Sequence, residues 1–424
     1  MNYIELSRTL RSPEGIEQLT RLYGRREGVL VHQMARYGAL VKLHEDLFRA
    51  EDVVVVSAPG RSEIIGNHTD HNSGRVLAAA INLDTLAVVS PSADNKVRVV
   101  SEGYDAIAID LTDVRPRTQE EGTTAGIIRG VADRMQQLGF KIGGFSAVVT
   151  SDVLGGSGLS SSAAFEVMIC CILDVLYNGG SAVDPVQRAK ISQYAENVHF
   201  GKPSGLMDQM ASSVGGLIGI DFKAEDPVIE PLQFNFQDAG YALVVIGTGG
   251  SHDDLTAEYA AIRDEMQQVA AFFGEDVLRK VRPEQFYQAI PALRRELGDR
   301  PLLRAMHYFN ENDRVPQAIE ALRQERVDDF LALINASGRS SWELLQNMYA
   351  AAHDQPLCLA LALAEKQLEG RGAIRLHGGG FAGTTLNFVP NDQVDAFVRA
   401  LSLVFGEKSC YVLDVRPVGA VRVF

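Results

Sequence analysis

One stretch near the middle of the chain decides the fold, Gly155-Gly156-Ser157-Gly158-Leu159-Ser160-Ser161-Ser162-Ala163-Ala164, and the apolar residues 165–173 follow it directly. Glycine lets a backbone bend close to a ligand, and serine caps helices and supplies hydroxyl groups. The first amides of a helix have no partners inside the helix, so they and the helix dipole attract an anion. The stretch therefore predicts either a phosphate-binding loop or an ordinary capped helix after a surface loop, and the rest of the chain has to discriminate between the two.

The size and charge of the chain limit what it can be. At 424 residues it is longer than one hydrophobic core usually supports, so we expect two domains. The hydrophobic share of 46% and the charged share of 22% are typical of a globular protein. The net charge of -14, with no basic patch, argues against nucleic acid or an anionic membrane as a partner.

The cysteines and the apolar runs give no sign of export or membrane insertion. Cys170 and Cys171 lie in an apolar segment, and they and the other two cysteines lack metal-ligand spacing, which is typical of buried thiols in a reducing compartment. No signal-peptide pattern opens the chain, and no apolar run reaches the length of a membrane span. We therefore expect a cytoplasmic protein, acting as a monomer.

Hydrophobic periodicity predicts an α/β (α+β) fold. Residues 3–50 are predicted as helical, with a helix over 29–49 whose apolar face carries Val31, Met34, Leu40, Leu43 and Leu47. Strands are predicted at 52–57, 76–81, 85–89, 97–101, 106–111 and 143–150, and helices at 124–138 and 184–200. The polar stretch 223–227 divides an N-terminal domain, residues 1–225 with the helical extension 1–50, from a C-terminal domain, residues 226–424.

Two further segments concentrate polar side chains. Residues 58–74, after the first predicted strand, place Arg61, Glu63, His68 and Asp70 between glycines, which suits a polyhydroxylated ligand better than a surface turn does. Asp208 lies in a Gly/Pro turn that enters a helix, where an aspartate is more often a cap than a catalyst. No Walker P-loop and no Rossmann fingerprint accompanies the glycine clusters.

Together these segments resemble the galactokinase signature and the motifs of the GHMP small-molecule kinases. Residues 58–70 resemble the galactokinase signature, 156–164 the central phosphate motif, 205–209 the segment of the catalytic aspartate and 377–383 the third motif. The resemblance implies a two-domain GHMP kinase fold with the active site in the interdomain cleft. It also implies ATP-dependent phosphorylation of a sugar at its anomeric hydroxyl, giving galactose 1-phosphate and ADP from galactose.

The resemblance assigns roles by position. Asp208 would accept the proton of the sugar hydroxyl or act on it electrostatically, and Arg61 would stabilise that hydroxyl or the phosphoryl group in transfer. The ATP-binding residues would be Gly155, Gly156, Ser157, Gly158, Leu159, Ser160, Ser161, Ser162 and Ala163. Magnesium would be held by Ser161 and Glu196. The sugar contacts would be Asn67, His68, Asp70, Gly205 and Tyr259. Phosphoryl transfer needs mainly positioning and charge neutralisation, and Mg²⁺ prefers oxygen ligands, so these residue types suit the chemistry.

Four departures from the family pattern leave the substrate open. Asn67 stands where an acid is usual, Glu63 where an asparagine is usual and His71 where a tyrosine is usual. Thr124 and Ile127 lie where many relatives place aromatic residues against the nucleotide base. The alternatives are a kinase for N-acetylgalactosamine, arabinose or a galacturonic-type acid, or a non-catalytic sugar sensor. If galactose is the substrate and Asn67 merely weakens the site, Asn67→Glu is expected to improve galactose use.

Overall fold

Two β-sheets organise the protein. The computed structural model describes residues 1–26, 28–153, 158–249 and 255–424. The first sheet has the order β12-β1-β2-β5-β3-β4, with β6 added beside β2 and β7 beside β6. Its strands are β1 (Val54–Ile65), β2 (Arg75–Pro91), β3 (Lys96–Ser101), β4 (Ile107–Asp110), β5 (Phe145–Ser151), β6 (Leu217–Asp221), β7 (Val228–Leu232) and β12 (Val421–Arg422). The second sheet has the order β11-β8-β10-β9 and consists of β8 (Tyr241–Gly247), β9 (Ala373–His377), β10 (Thr384–Pro390) and β11 (Cys410–Leu413).

Helices cover both sheets. The first half contains α1 (Tyr3–Leu10), α2 (Pro13–Tyr23), α3 (Val29–Phe48), α4 (Thr124–Gln137), α5 (Ser161–Tyr177), α6 (Pro185–Tyr194) and α7 (Met207–Val214). The second half contains α8 (Thr256–Phe272), α9 (Pro283–Leu297), α10 (Asp299–Arg323), α11 (Val327–Ser340), α12 (Pro356–Leu368) and α13 (Val394–Phe405). Short π-helical turns extend α6 over Ala195–Phe200 and α11 over Ser341–Leu345. None of the helices in the described part of the chain has the length and apolarity that a membrane crossing requires.

The first strand runs further than the sequence predicts. β1 pairs with β2 from Val54 to Ile65, with irregularities beside Pro59 and beyond Glu63, whereas the predicted strand ends at residue 57. Proline is tolerated in a strand at such irregularities because no ladder hydrogen bond is lost there. Gly60 is required, since a Cβ at this position would lie 2.8 Å from the Leu159 carbonyl oxygen. The extension places Arg61 and Glu63 on a rigid strand instead of a mobile turn.

A buried aspartate explains two other differences. The predicted break between strands at 76–81 and 85–89 does not exist, because β2 continues through Asp84, which is fully buried. Its carboxylate pairs with Arg36 at 2.6 Å and Arg416 at 3.2 Å, and it accepts hydrogen bonds from Tyr23, at 2.6 Å, and from Ser57. Since Tyr23 belongs to α2 and Arg36 to α3, this cluster fastens the helical N-terminal extension to the sheet.

The predicted apolar face of α3 is wrong in part. Val31, Leu43 and Leu47 are 74%, 43% and 50% exposed, whereas Arg36 and His44 are buried. Helical periodicity identifies apolar positions, but it cannot predict that Arg36 is buried, because that burial depends on the ion pair with Asp84. The helix therefore docks on a mixed polar and apolar face.

The two halves of the chain share one hydrophobic cluster. Ile64 and Leu77 of the first sheet pack in the same cluster as Val245 and Leu386 of the second. Two strands that lie beyond residue 225, β7 and β12, hydrogen-bond into the first sheet. The division of the chain at residue 225 stays a prediction, and the C-terminus returns to the N-terminal sheet.

Candidate active site

Asp208 and Arg61 form a two-pronged ion pair at the centre of the candidate site. Arg61 Nε and Nη2 each donate to one carboxylate oxygen of Asp208, both at 2.7 Å. Asp208 lies in the first turn of α7, but its carboxylate caps no backbone amide of the described residues and is turned to Arg61 and Ser160 instead. The helix-cap alternative for this residue is therefore not supported.

The charge of Arg61 keeps Asp208 ionised. Burial by itself would raise the pKa of Asp208, but the charge and the hydrogen bonds of Arg61 outweigh it, so the pKa lies below its ordinary value. The Asp208 side chain is 31% exposed, whereas that of Arg61 is 8% exposed. A carboxylate held by a buried arginine and open to the cleft can receive a substrate hydroxyl.

The described part of the glycine-serine stretch contacts this ion pair. Gly158 and Ser160 have positive φ angles of 70° and 59°. Arg61 Nη1 donates to the Gly158 carbonyl, the Arg61 amide donates to the Leu159 carbonyl at 3.0 Å, and the Ser160 hydroxyl donates to Asp208. Ser160 precedes α5 without capping it, so the first amides of the helix keep their capacity to bind an anion. The predicted ATP contacts Gly155, Gly156 and Ser157 lie outside the described residues.

Beside the start of α5 lies a cavity of about 330 Å³. Its polar end is formed by Ser161, Ser162, Glu166, Glu196 and Lys202. Its apolar side includes Thr124 and Ile127 and also three aromatic residues that the sequence analysis did not single out, Tyr104, Phe165 and Phe200. Ala163, the last predicted ATP contact, is buried. The cavity has the polarity expected of a pocket that takes phosphates at one end and a base at the other.

Two carboxylates meet at the polar end of this cavity. Glu196 is ion-paired with Lys202 at 3.0 Å and accepts from Gln209 Nε2 at 2.8 Å. The same Gln209 nitrogen donates to Glu166 at 3.0 Å, and the other Glu166 oxygen is buried without a partner among the described residues. Burial, followed by the charge of Glu196, raises the pKa of Glu166 well above its ordinary value.

These groups fit a magnesium ion that is completed by phosphate and water. The Ser161 hydroxyl and the Glu196 carboxylate line one cavity and are hard oxygen ligands of the kind Mg²⁺ takes. Within the described residues no group of three or more His, Cys, Asp or Glu side chains could hold a metal ion by itself.

Asp70 and Gly205 lie in close contact, and Gly205 is three residues before Asp208 in the chain. A Cβ on Gly205 would lie 2.3 Å from Asp70 Oδ2, so this close approach requires glycine. Burial, then the charges of Glu63 and Asp208, raise the pKa of Asp70 to about 6. Asp70 is therefore an acid whose charge changes close to neutral pH.

His68 and Tyr259 are both anchored on the second glycine cluster, residues 378–383. His68 Nε2 donates to the Gly379 carbonyl at 2.8 Å, and its Nδ1 lies 3.3 Å from His71 Nε2. Burial lowers the pKa of both histidines, so they are neutral at pH 7. Tyr259 donates to the Gly380 carbonyl at 2.9 Å. These contacts bring the first and third motifs together.

Asn67 is placed differently from the other predicted sugar contacts. It is fully buried, and its amide nitrogen donates to Glu63 Oε1 at 3.2 Å and to the Gly378 carbonyl at 2.7 Å. Its amide oxygen accepts from Asn347 at 3.0 Å and from Ser341 at 3.3 Å. A sugar would reach this side chain only by displacing one of these partners.

Sequence reasoning missed Arg375 and the role of His377. Arg375 is buried and donates to Glu63 Oε1 at 2.7 Å, and His377 Nε2 lies 3.1 Å from the Ser62 hydroxyl. Both stand on β9 immediately before the second glycine cluster. Their position next to that motif is the only sequence signal, because their partners are more than 300 residues away along the chain.

Comparison with known proteins identifies the family of the chain. The galactokinase galactose-binding signature matches residues 42–91, and the N-terminal domain of the GHMP kinases matches residues 126–216. The galactokinase of Glaesserella parasuis serovar 5 (strain SH0165) is 33% identical over 353 residues, which cover 82% of this chain and 88% of that protein. The chain belongs to the galactokinase family. A galactokinase of Actinobacillus pleuropneumoniae serotype 5b (strain L20) is 34% identical over 356 residues, with the same coverage of 82% and 88%.

Solved structures place this galactokinase-family chain in the GHMP kinase fold. The crystal structure of Lactococcus lactis galactokinase complexed with galactose has a TM-score of 0.79 and 25% identity, covering 92% of this chain and all of that one (100%). A mevalonate kinase structure has a TM-score of 0.61 at 13% identity, covering 85% of this chain and 98% of that one, which shows the fold alone. The expected α/β GHMP kinase fold is confirmed, whereas an active site in a cleft between two domains stays a prediction.

Proposed function

We propose that this protein transfers the γ-phosphoryl group of ATP to the anomeric hydroxyl of galactose. One observation carries the proposal: the Arg61–Asp208 pair contacts Gly158 and Ser160 of the glycine-serine stretch, which suits phosphates, and the charge of Asp208 acts on Asp70, whose contact with Gly205 suits a sugar. A carboxylate at this junction meets the hydroxyl that attacks and the phosphorus that is attacked.

The reaction balances with Asp208 as proton acceptor. The anomeric oxygen forms a bond to the γ-phosphorus, the bond from that phosphorus to the β,γ-bridging oxygen breaks, and ADP leaves with the bond's electron pair. The hydroxyl proton passes to Asp208. Because Arg61 keeps the pKa of this carboxylate low, Asp208 orients the hydroxyl before transfer and takes its proton as the new bond develops.

The other residues of the site would bind the two substrates and neutralise the charge of the phosphates. The amides at the start of α5 and the hydroxyls of Ser161 and Ser162 would hold phosphates, and Arg61 would offset the charge of the transferring group. Ser161 and Glu196 would hold Mg²⁺, which supplies charge neutralisation on the phosphates when bound. Asp70, His68 and Tyr259 would surround the sugar.

The structure weighs against the alternatives to galactose that rested on Asn67. A neutral Asn67 facing the sugar would favour a galacturonic-type acid, but Asn67 is buried and Glu63 and Asp70 contribute carboxylates nearby. A silent sugar sensor does not need the Arg61–Asp208 pair that is intact here.

The test is ADP release over a panel of galactose, N-acetylgalactosamine, arabinose and galacturonic acid. We expect galactose to give the highest kcat/KM and Asp208→Asn to abolish turnover. Asp221→Asn is the matched control, since Asp221 is also a carboxylate paired with arginines, Arg75 at 2.9 Å and Arg279 at 2.8 Å, but lies outside the site. Equal losses in both variants, or a preferred sugar other than galactose, would contradict the proposal.

A further inference from the structure

The side chain of Asn67 has no free hydrogen-bonding capacity. A carboxamide offers two N–H donors and one oxygen with two lone pairs. Asn67 uses both donors, on Glu63 and on the Gly378 carbonyl, and its oxygen accepts from Asn347 and Ser341. Because the residue is fully buried, these four hydrogen bonds form a closed network, which we call the latch, and leave no position for a ligand.

The latch joins parts of the chain that are distant in sequence. Glu63 is on β1, Gly378 begins the second glycine cluster, and Ser341 and Asn347 belong to the π-helical end of α11 and the segment after it. Asn347 also donates to the Gly379 carbonyl at 3.0 Å, the same carbonyl that His68 contacts. Asn67 therefore sets the position of the glycine cluster on which His68 and Tyr259 are anchored.

Glu63 has the free group that Asn67 lacks. Its Oε1 accepts from both Arg375 and Asn67, at 2.7 and 3.2 Å, whereas its Oε2 has no hydrogen-bond donor among the described residues. The charge of Glu63 acts on Arg61, His68 and Asp70, so the carboxylate lies within the group of side chains around the expected sugar position. The Glu63 side chain is only 6% exposed, and a carboxylate with one oxygen fixed by an arginine and the other without a donor is well prepared to accept a sugar hydroxyl.

We propose that Glu63 supplies the carboxylate that contacts the sugar through Oε2, and that Asn67 is a positioning residue that holds Glu63 and the second glycine cluster. This inference rests on the proposed function for the identity of the sugar. It assigns the acidic contact to strand β1 and removes Asn67 from the surface of the site.

The experiment pairs protein variants with galactose lacking one hydroxyl group. Glu63→Gln, Asn67→Ala and the wild type are compared on galactose and on its 2-, 3-, 4- and 6-deoxy analogues, by ADP release and by calorimetric titration of sugar binding. Loss of a hydrogen bond to a charged group lowers kcat/KM by about 10- to 100-fold. We expect that loss for Glu63→Gln on galactose, and we expect it to disappear on one analogue, the one that lacks the contacted hydroxyl.

Asn67→Ala is expected to lower kcat/KM by the same factor on every analogue, because a positioning residue contacts no particular hydroxyl. Asn347→Ala, which removes another part of the latch, is the matched control and should show the same uniform loss. If Glu63→Gln does not fold, Glu63→Asp keeps the charge opposite Arg375 and shortens the reach, and it should show the same analogue-specific loss. KM for ATP should not change in any of these variants.

Two results would overturn the inference. One is a loss in Asn67→Ala that disappears on a single analogue, and the other is a uniform loss in both Glu63 variants. Failure of the proposed function looks different: the wild type would bind galactose in the titration without releasing ADP, and the binding series would still decide between Glu63 and Asn67.

Discussion

Asn67→Glu is the substitution for which the structure reverses the expectation from the sequence. The new carboxylate would replace an amide nitrogen that lies 3.2 Å from Glu63 Oε1 and 2.7 Å from the Gly378 carbonyl oxygen. Two like charges at that distance repel by about 5 kcal/mol at an effective dielectric constant of 20. Protonating the new carboxylate at pH 7 instead costs about 4 kcal/mol, starting from the ordinary glutamate pKa.

The smaller of these two costs sets the effect, so the free energy of unfolding should fall by about 4 kcal/mol at pH 7 from charge alone. The protonation cost shrinks to about 1 kcal/mol at pH 5, because a carboxyl of ordinary pKa is then much closer to its midpoint. Galactose kcat/KM should fall with the stability of the latch and should not improve.

Urea denaturation of the variant at pH 7 and pH 5 measures this effect. Asn67→Gln is the matched control, since it has the same length and no charge, and only the difference between the two variants is expected to depend on pH. Adding Glu63→Gln to Asn67→Glu should recover much of the lost stability. A stable Asn67→Glu protein with higher galactose kcat/KM would refute the reasoning and show that Asn67 faces the sugar.

Five other outcomes follow from the geometry. Asp208→Asn should lower kcat by roughly 10²–10⁴-fold with ATP binding unchanged in a calorimetric titration, and normal turnover would remove it from the mechanism. Because the pKa of Asp70 is raised to about 6, its ionisation should raise galactose kcat/KM as pH increases through that value, with no such inflection in Asp70→Asn. The same raised pKa means that the folded state binds the proton more tightly than the unfolded state. Ionising Asp70 should therefore lower the free energy of unfolding by up to about 3 kcal/mol between pH 4 and pH 7. Urea denaturation measures this loss, which should be absent from Asp70→Asn. Ser161→Ala should raise KM for ATP in a kinetic titration without changing KM for galactose, and an unchanged KM for ATP would exclude its phosphate and metal contacts. Asp84→Asn should lower the free energy of unfolding by about 3–5 kcal/mol in urea denaturation, because two buried arginines lose their partner, and a smaller loss than 1 kcal/mol would contradict that role.

The parts of the site that can be predicted from the sequence are those whose residues lie in contiguous motifs. The glycine-serine stretch leads directly into α5, and Asp208 and Arg61 lie in short segments whose composition suits phosphate or sugar chemistry. Local physical rules suffice for such segments, because the motif and its secondary structure occupy the same few residues. That Arg61 and Asp208, 147 residues apart, act at one site is expected only from the family resemblance.

The parts that could not be predicted depend on distant partners. Pro59 and Gly60 are typical of a turn, yet β2 pairs with both sides of them and keeps β1 extended. From the sequence, Asp84 predicts a break between two strands. In the structure the strand continues through it, because Arg36 and Arg416 pair with its buried carboxylate. The effect of a single substitution in a motif cannot be predicted from the sequence for the same reason, because it too depends on distant partners.

Glu63 and Asn67 show this most clearly. The sequence presents them as two separate departures from a family pattern, and each by itself suggests a change of substrate. In the structure they are hydrogen-bonded to each other, and the partners of Asn67 lie as far as 311 residues along the chain. A hydrogen-bond network of this kind is fixed by tertiary packing, which no local pattern records.

The most direct test of the central proposal is the identity of the product. Wild-type protein is incubated with galactose, ATP and Mg²⁺, and the phosphorylated sugar is examined by phosphorus and carbon NMR while ADP is counted. We expect one galactose 1-phosphate for each ADP, with the phosphoryl group on the anomeric oxygen. ADP without a sugar phosphate, or a phosphoryl group on any other hydroxyl, would contradict the proposal.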